Sequence, residues 1–103
     1  MMYSKETGSL IYDQEGSTGH SLAQVGDLEY VELVLAPGCR IERHALPFAI
    51  EFYVVEGKGD LLLAEQTMEV DARQLVHIDA GEERGWVNTG ERNLVILGVK
   101  HTL

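Results

Sequence analysis

The chain has a single cysteine, Cys39, in 103 residues. One thiol closes no internal disulfide and cannot by itself build a thiolate metal site. No activating motif surrounds it, so it reads as a structural side chain rather than a nucleophile. Basic residues are also scarce: eight Lys and Arg stand against 17 Asp and Glu, a formal net charge of -9. That balance repels polyanions and removes nucleic acid and anionic membrane as partners. Long apolar runs are missing. The longest near the end, LVILGV at 94–99, falls far short of the ~20 residues that cross a bilayer. The opening MMYSKETGSL has neither the basic nor the apolar region of a secretory leader. A soluble cytoplasmic protein is the expectation. No repeat at a solenoid or propeller period, no low-complexity tract and no block of like charge is present. What is there is ordinary globular composition, 45% hydrophobic and 24% charged, enough for one domain over residues 1–103 with one core.

The apolar pattern is of the strand kind almost throughout. In LEYVELVLAPG, Val31, Leu33 and Leu35 fall on one face and Tyr30, Glu32 and Val34 on the other, the two-residue period of a pleated strand. Pro37 and Gly38 then stop it. The same reading predicts strands at 9–12, 40–44, 50–56, 60–64, 68–70, 75–78, 85–88 and 94–100, separated by the turns EGKG, AEQT, DARQ, DAGEE and NTGER. Short strands at close spacing, with no ten-residue helical period, predict an all-β antiparallel sandwich or barrel. Such barrels hold ligands in the mouth or interior. The N-terminal strand 9–12 is expected to pack on, or swap to, a sheet edge, and a homodimer is expected from exposed edges.

The segments PGCRIERH, FYVVEGKGDL and HIDAGEERGWVNTGE resemble the two motifs of the cupin superfamily, and the likeness frames roughly residues 28–100. It implies a double-stranded β-helix, the jelly-roll barrel. The first motif runs Gly, five residues, His, any, His, three or four residues, Glu, six residues, Gly. Gly38, His44 and Gly57 match it. In the second motif Gly81 and the terminal Asn88 match. The implied metal-ligand positions hold badly, since after His44 they carry Leu46, Ile50 and Arg84. The motif's proline is Asp79 and its opening glycine is Arg73. Glu51 reaches a ligand position only if a bulge between it and Gly57 turns it inward. His20, His77 and His101 are the remaining histidines from which a site can be rebuilt.

With one retained ligand, no metal or other cofactor is expected, because a divalent transition metal needs about three protein ligands and an arginine adds charge of the wrong sign. The barrel interior instead presents His44 and Arg84 against Leu46, Ile50, Phe52 and Trp86. A guanidinium fork among apolar walls suits a small organic anion, with a sugar-like molecule as the other candidate ligand. Metal-free binding is the first reading. The second is a metal-independent isomerase, epimerase or lyase, with His44 as catalytic base, oriented by Glu42, and Arg84 as electrostatic stabiliser. The third is a metal-dependent enzyme with a rebuilt site. For Arg84 a purely structural role, neutralising Glu51 or another acid, stands beside the functional one.

Overall fold

A computed structural model describes residues 1–102; Leu103, the last residue of the expected domain, lies outside the described residues. The alternating segments form ten antiparallel strands, and among the described residues there is no helix. They are β1 (Ser9–Gln14), β2 (Ser17–Val25), β3 (Leu28–Leu35), β4 (Arg40–Ala45), β5 (Ile50–Glu56), β6 (Lys58–Leu62), β7 (Thr67–Asp71), β8 (Leu75–Ile78), β9 (Glu83–Asn88) and β10 (Leu94–His101). One sheet runs β1-β2-β3-β10-β5-β8 and the other β4-β9-β6-β7. Their inner faces close on Leu35, Val54, Leu61, Val70, Leu94 and Ile96, all almost fully buried. Phe52 meets Trp86 edge-on across this core, ring centroids 5.4 Å apart at 88°, a favoured aromatic geometry.

Strand β2 was not among the expected elements. Its inward positions are Ser17, Gly19 and Ser21, which lie opposite Leu35, Leu33 and Val31 of β3. The large side chains of β3 fill the space above them: a Cβ on Gly19 would stand 3.0 Å from Leu33 Cδ2 and 3.2 Å from Tyr12 Cβ. The apolar signal of that pair is therefore carried by β3 alone. The N-terminal strand pairs with β2 of its own chain, Leu10 opposite His20 and Asp13 opposite Thr18.

The turns that frame the barrel obey backbone constraints rather than side-chain ones. Gly57 has φ of 82°, and a Cβ there would approach Asn93 O to 2.6 Å, so only glycine serves. Arg73, at the position where the family motif opens with glycine, keeps the left-handed backbone at φ of 71°. Asn88 is buried and clamps three segments. Its Nδ2 donates to Leu35 O and Arg92 O, both at 2.8 Å, and its Oδ1 accepts from Gly90 N at 2.9 Å. Removing one side of a buried hydrogen-bond set leaves its partners unpaired. Asn88→Ala is accordingly expected to cost about 3 kcal/mol in denaturant unfolding at unchanged m-value; a loss under about 0.5 kcal/mol would remove the clamp from the account.

Candidate functional site

The interior of the barrel opens in a cavity of about 240 Å³. His44, Leu46, Ile50, Phe52, Arg84 and Trp86 all line it. A register shift in β4 makes this possible. Ile41 pairs with Trp86 but His44 pairs with Arg84, so one extra residue lies between them. Without that bulge, the alternation that points Ile41 inward would turn His44 away from Arg84; with it His44 lines the cavity while remaining exposed. The bulge also corrects the expectation for Glu42. Its carboxylate forms an ion pair with Arg40, and it is the Glu42 backbone carbonyl that lies 3.0 Å from His44 Nδ1. A neutral imidazole donating there from Nδ1 keeps Nε2 as its free acceptor.

Arg84 is the unusual group. It is 2% exposed. One terminal nitrogen donates to Phe48 O at 3.2 Å and to Asp79 O at 3.4 Å, while Nε and the other terminal nitrogen have no partner. Among the described residues no carboxylate forms an ion pair with it. Burial pushes its guanidinium below the ordinary arginine value, opposed by the nearby charge of Glu82, yet an arginine keeps its proton at neutral pH. Trp86 Nε1 is likewise buried without a partner. Two side chains lining one cavity thus hold three unused N–H nitrogens, where buried donors are ordinarily satisfied.

Lys100, which was not singled out from the sequence, also lines the cavity. Its Nζ lies 3.8 Å from Glu29 Oε1 and 5.6 Å from the Phe48 ring centroid. The signal was legible: Leu94 and Ile96 point inward from β10, and the two-residue period carries that face to Lys100. Tyr12 reaches the cavity from β1. No carboxylate or carboxamide side chain is among the lining groups, so the polar wall consists mainly of donors. A wider groove at Gly57, Lys58, Asp71, Gly90 and Arg92 mixes both charges in the open and contains none of the buried unpartnered nitrogens.

The positions that the family pattern assigns to a metal do not fit one. Leu46 and Ile50 have no electron pair to donate, and Arg84 brings positive charge. Among the described residues no group of three or more His, Cys, Asp or Glu is arranged to hold an ion. A bulge does fall between Glu51 and Gly57, where Val95 pairs with Glu56 but Ile96 with Val54. It leaves Ile50 inward and buried, so Glu51 points out. There Glu51 meets two of the spare histidines: His77 Nδ1 at 2.6 Å and His101 Nε2 at 2.5 Å. Asp79 lies 2.8 Å from His77 Nε2. These groups gather on the outer face of the six-stranded sheet, away from His44, and they also leave Arg84 without Glu51 as a counter-ion. His20, on β2 opposite Glu32, joins neither group.

The hydrogen bond to Glu51, followed by that to Asp79, raises the His77 pKa above 6.5. Partial burial pushes Glu51 up, but the bonds from His101 and His77 outweigh it and leave the carboxyl below its ordinary 4.5. His77 therefore stabilises the fold fully below pH 6.5, and this is lost as pH rises through its raised value. Glu51 contributes above pH 4.5 and loses this as pH falls through its lowered value. In an NMR titration, Glu51→Gln is expected to move the His77 midpoint down toward 6.5; an unmoved midpoint would disconnect the pair.

The Cupin domain family matches residues 31–100 of the chain. No curated protein matches it. Solved structures share the fold: a predicted oxalate decarboxylase of Thermotoga maritima (19% identity, 100% of each chain, TM-score 0.82), the polyketide cyclase RemF of Streptomyces resistomycificus (20%, 100% of this chain and 80% of that one, 0.82) and KdgF of Halomonas sp. (17%, 98% and 94%, 0.82). At these identities the likeness is one of fold.

Proposed function

The chain belongs to the cupin domain family, and within that frame we propose that it binds a small organic carboxylate in the barrel, without a metal, through Arg84. The observation that carries this is the buried guanidinium with two unpartnered nitrogens and, among the described residues, no carboxylate in ion-pair contact with it. A carboxylate accepts charge-assisted hydrogen bonds from such a guanidinium and supplies the missing counter-charge. Trp86 Nε1 offers a further donor, and Phe52, Ile50 and Leu46 pack an apolar body. The donor-rich wall argues for an acceptor-rich ligand over a neutral sugar. The volume, about 240 Å³, lies below the ~300–1,000 Å³ of drug-sized sites, which favours a short acid.

A second reading has one observation behind it. His44 lines the same cavity as Arg84, with its Nδ1 held by the Glu42 carbonyl and its Nε2 free. That is the arrangement of a base able to take a proton next to a carbonyl while Arg84 stabilises the developing enolate. It differs from the first reading in requiring turnover, and His44→Gln would abolish turnover while leaving binding in place.

An unpaired buried cation costs stability, and an apolar side chain of similar volume in its place removes that cost. Arg84→Leu is therefore expected to melt higher than the wild type when empty. It is also expected to lose the thermal shift that the best member of a panel of short carboxylates gives the wild type. A variant that melts lower when empty and still shifts with the carboxylate would place the guanidinium in a structural role.

A further inference from the structure

Lys100 lines the same cavity as Arg84, and a single carboxylate bound at Arg84 leaves it unused. Basic residues are few, eight Lys and Arg in 103 residues. Two of them nevertheless line one cavity, with no acid among the other lining residues. They enter from opposite layers: Arg84 from β9 of the four-stranded sheet and Lys100 from β10 of the six-stranded sheet. The segment between β4 and β5 spans the two. Its Phe48 carbonyl accepts a hydrogen bond from Arg84, and its Phe48 ring lies 5.6 Å from the Lys100 ammonium, within cation-π range. That segment is pinned at both ends: Leu46 O accepts from Gly81 N at 2.8 Å and Ala49 O from His101 N at 2.9 Å. Two positive charges are thus held apart on one frame, with Ile50 and Phe52 lining the same cavity.

The Lys100 ammonium is short of acceptors. Its side chain is 18% exposed, and Glu29 Oε1 lies 3.8 Å from Nζ, beyond the ~2.7–3.2 Å of an N–H···O hydrogen bond. The other oxygen of that carboxylate already accepts from Ser21 Oγ at 2.8 Å. Glu29 therefore sets the direction of the lysine without taking its hydrogens. Among the described residues Nζ has no other ion pair. An ammonium carries three donors and is strongly hydrated in open water, so one that has left most of that water gains from an acceptor inside the cavity.

We propose that Lys100 forms a second anion subsite and that the ligand is a short dicarboxylate, one carboxylate at Arg84, the other at Lys100, and the carbon chain against Ile50 and Phe52. This rests on the carboxylate reading of Arg84 and adds a second acidic group to the ligand. The two cations divide the work. Arg84 offers two donor nitrogens fixed by burial and sets the orientation of the near carboxylate. Lys100 is a compact charge on a flexible stem, which can follow the far carboxylate over a small range of chain lengths. The volume of about 240 Å³ keeps that range short. A ligand with a neutral far end leaves the ammonium without its counter-charge, and a polar group left unpaired is what lets a site reject the wrong ligand.

Calorimetric titration of the chelator-treated full chain with succinate, glutarate and adipate, each beside its own half-amide, tests the assignment. In the wild type the best diacid should bind at least ~10-fold more tightly than its half-amide. In Lys100→Met that ratio should collapse to about 2, the statistical advantage of a ligand with two identical ends, because the coupling between far carboxylate and ammonium is gone. Circular dichroism melts establish that the variant is folded, and Lys100→Gln replaces it if it is not. Half-amides that bind the wild type as tightly as the diacids, or a folded Lys100 variant that keeps the full preference, would overturn the second subsite and leave the carboxylate site at Arg84 standing. Binding of neither ligand type by the wild type would remove the Arg84 site and the dicarboxylate with it.

Discussion

A guanidinium almost wholly removed from water, with two of its three nitrogens unpartnered, is costly to hold inside a barrel. Much of the interior is arranged around it. The bulge in β4 turns His44 to face Arg84. Aromatic and aliphatic walls exclude water and strengthen any polar contact made there. The carboxylates one would expect beside a buried cation are directed elsewhere: Glu51 to two histidines and Glu42 to Arg40. A fixed cation at one family ligand position and aliphatic chains at two others form a consistent set. A metal cation in the cavity would be repelled by the guanidinium, whereas an anion would complete it.

The framework that holds this site is separable from it. Gly57, Arg73 and Asn88 serve the backbone, through positive φ in the first two and a hydrogen-bonded clamp in the third. None of the three lines the cavity. This explains how the barrel can keep its turns while the ligand positions change, and why similarity of fold to a cyclase or a decarboxylase does not carry their chemistry across.

Most of the fold was readable because antiparallel strands state their period in sequence. Val31 and Leu35, Phe52 and Val54, and Leu94 and Ile96 alternate as their burial does. The same alternation brought Ile50, Phe52, Arg84 and Trp86 to one cavity. What was not readable had non-local causes. The inward serines and glycine of β2 make sense only beneath the leucines of β3. Parity linked Glu42 to His44 until an extra residue between Ile41 and His44 broke it. The partners of Glu51 come from β8 and β10, a meeting that depends on strand order rather than on spacing.

Recognition of negative charge by the cavity is tested most directly with matched ligands. Calorimetric titration of chelator-treated wild-type protein with short carboxylic acids and their isosteric carboxamides separates charge from shape. A guanidinium short of partners should bind the carboxylate at least ~10-fold more tightly than the amide, with no metal added. Equal affinity for both, or binding that appears only when a divalent metal is restored, would contradict it.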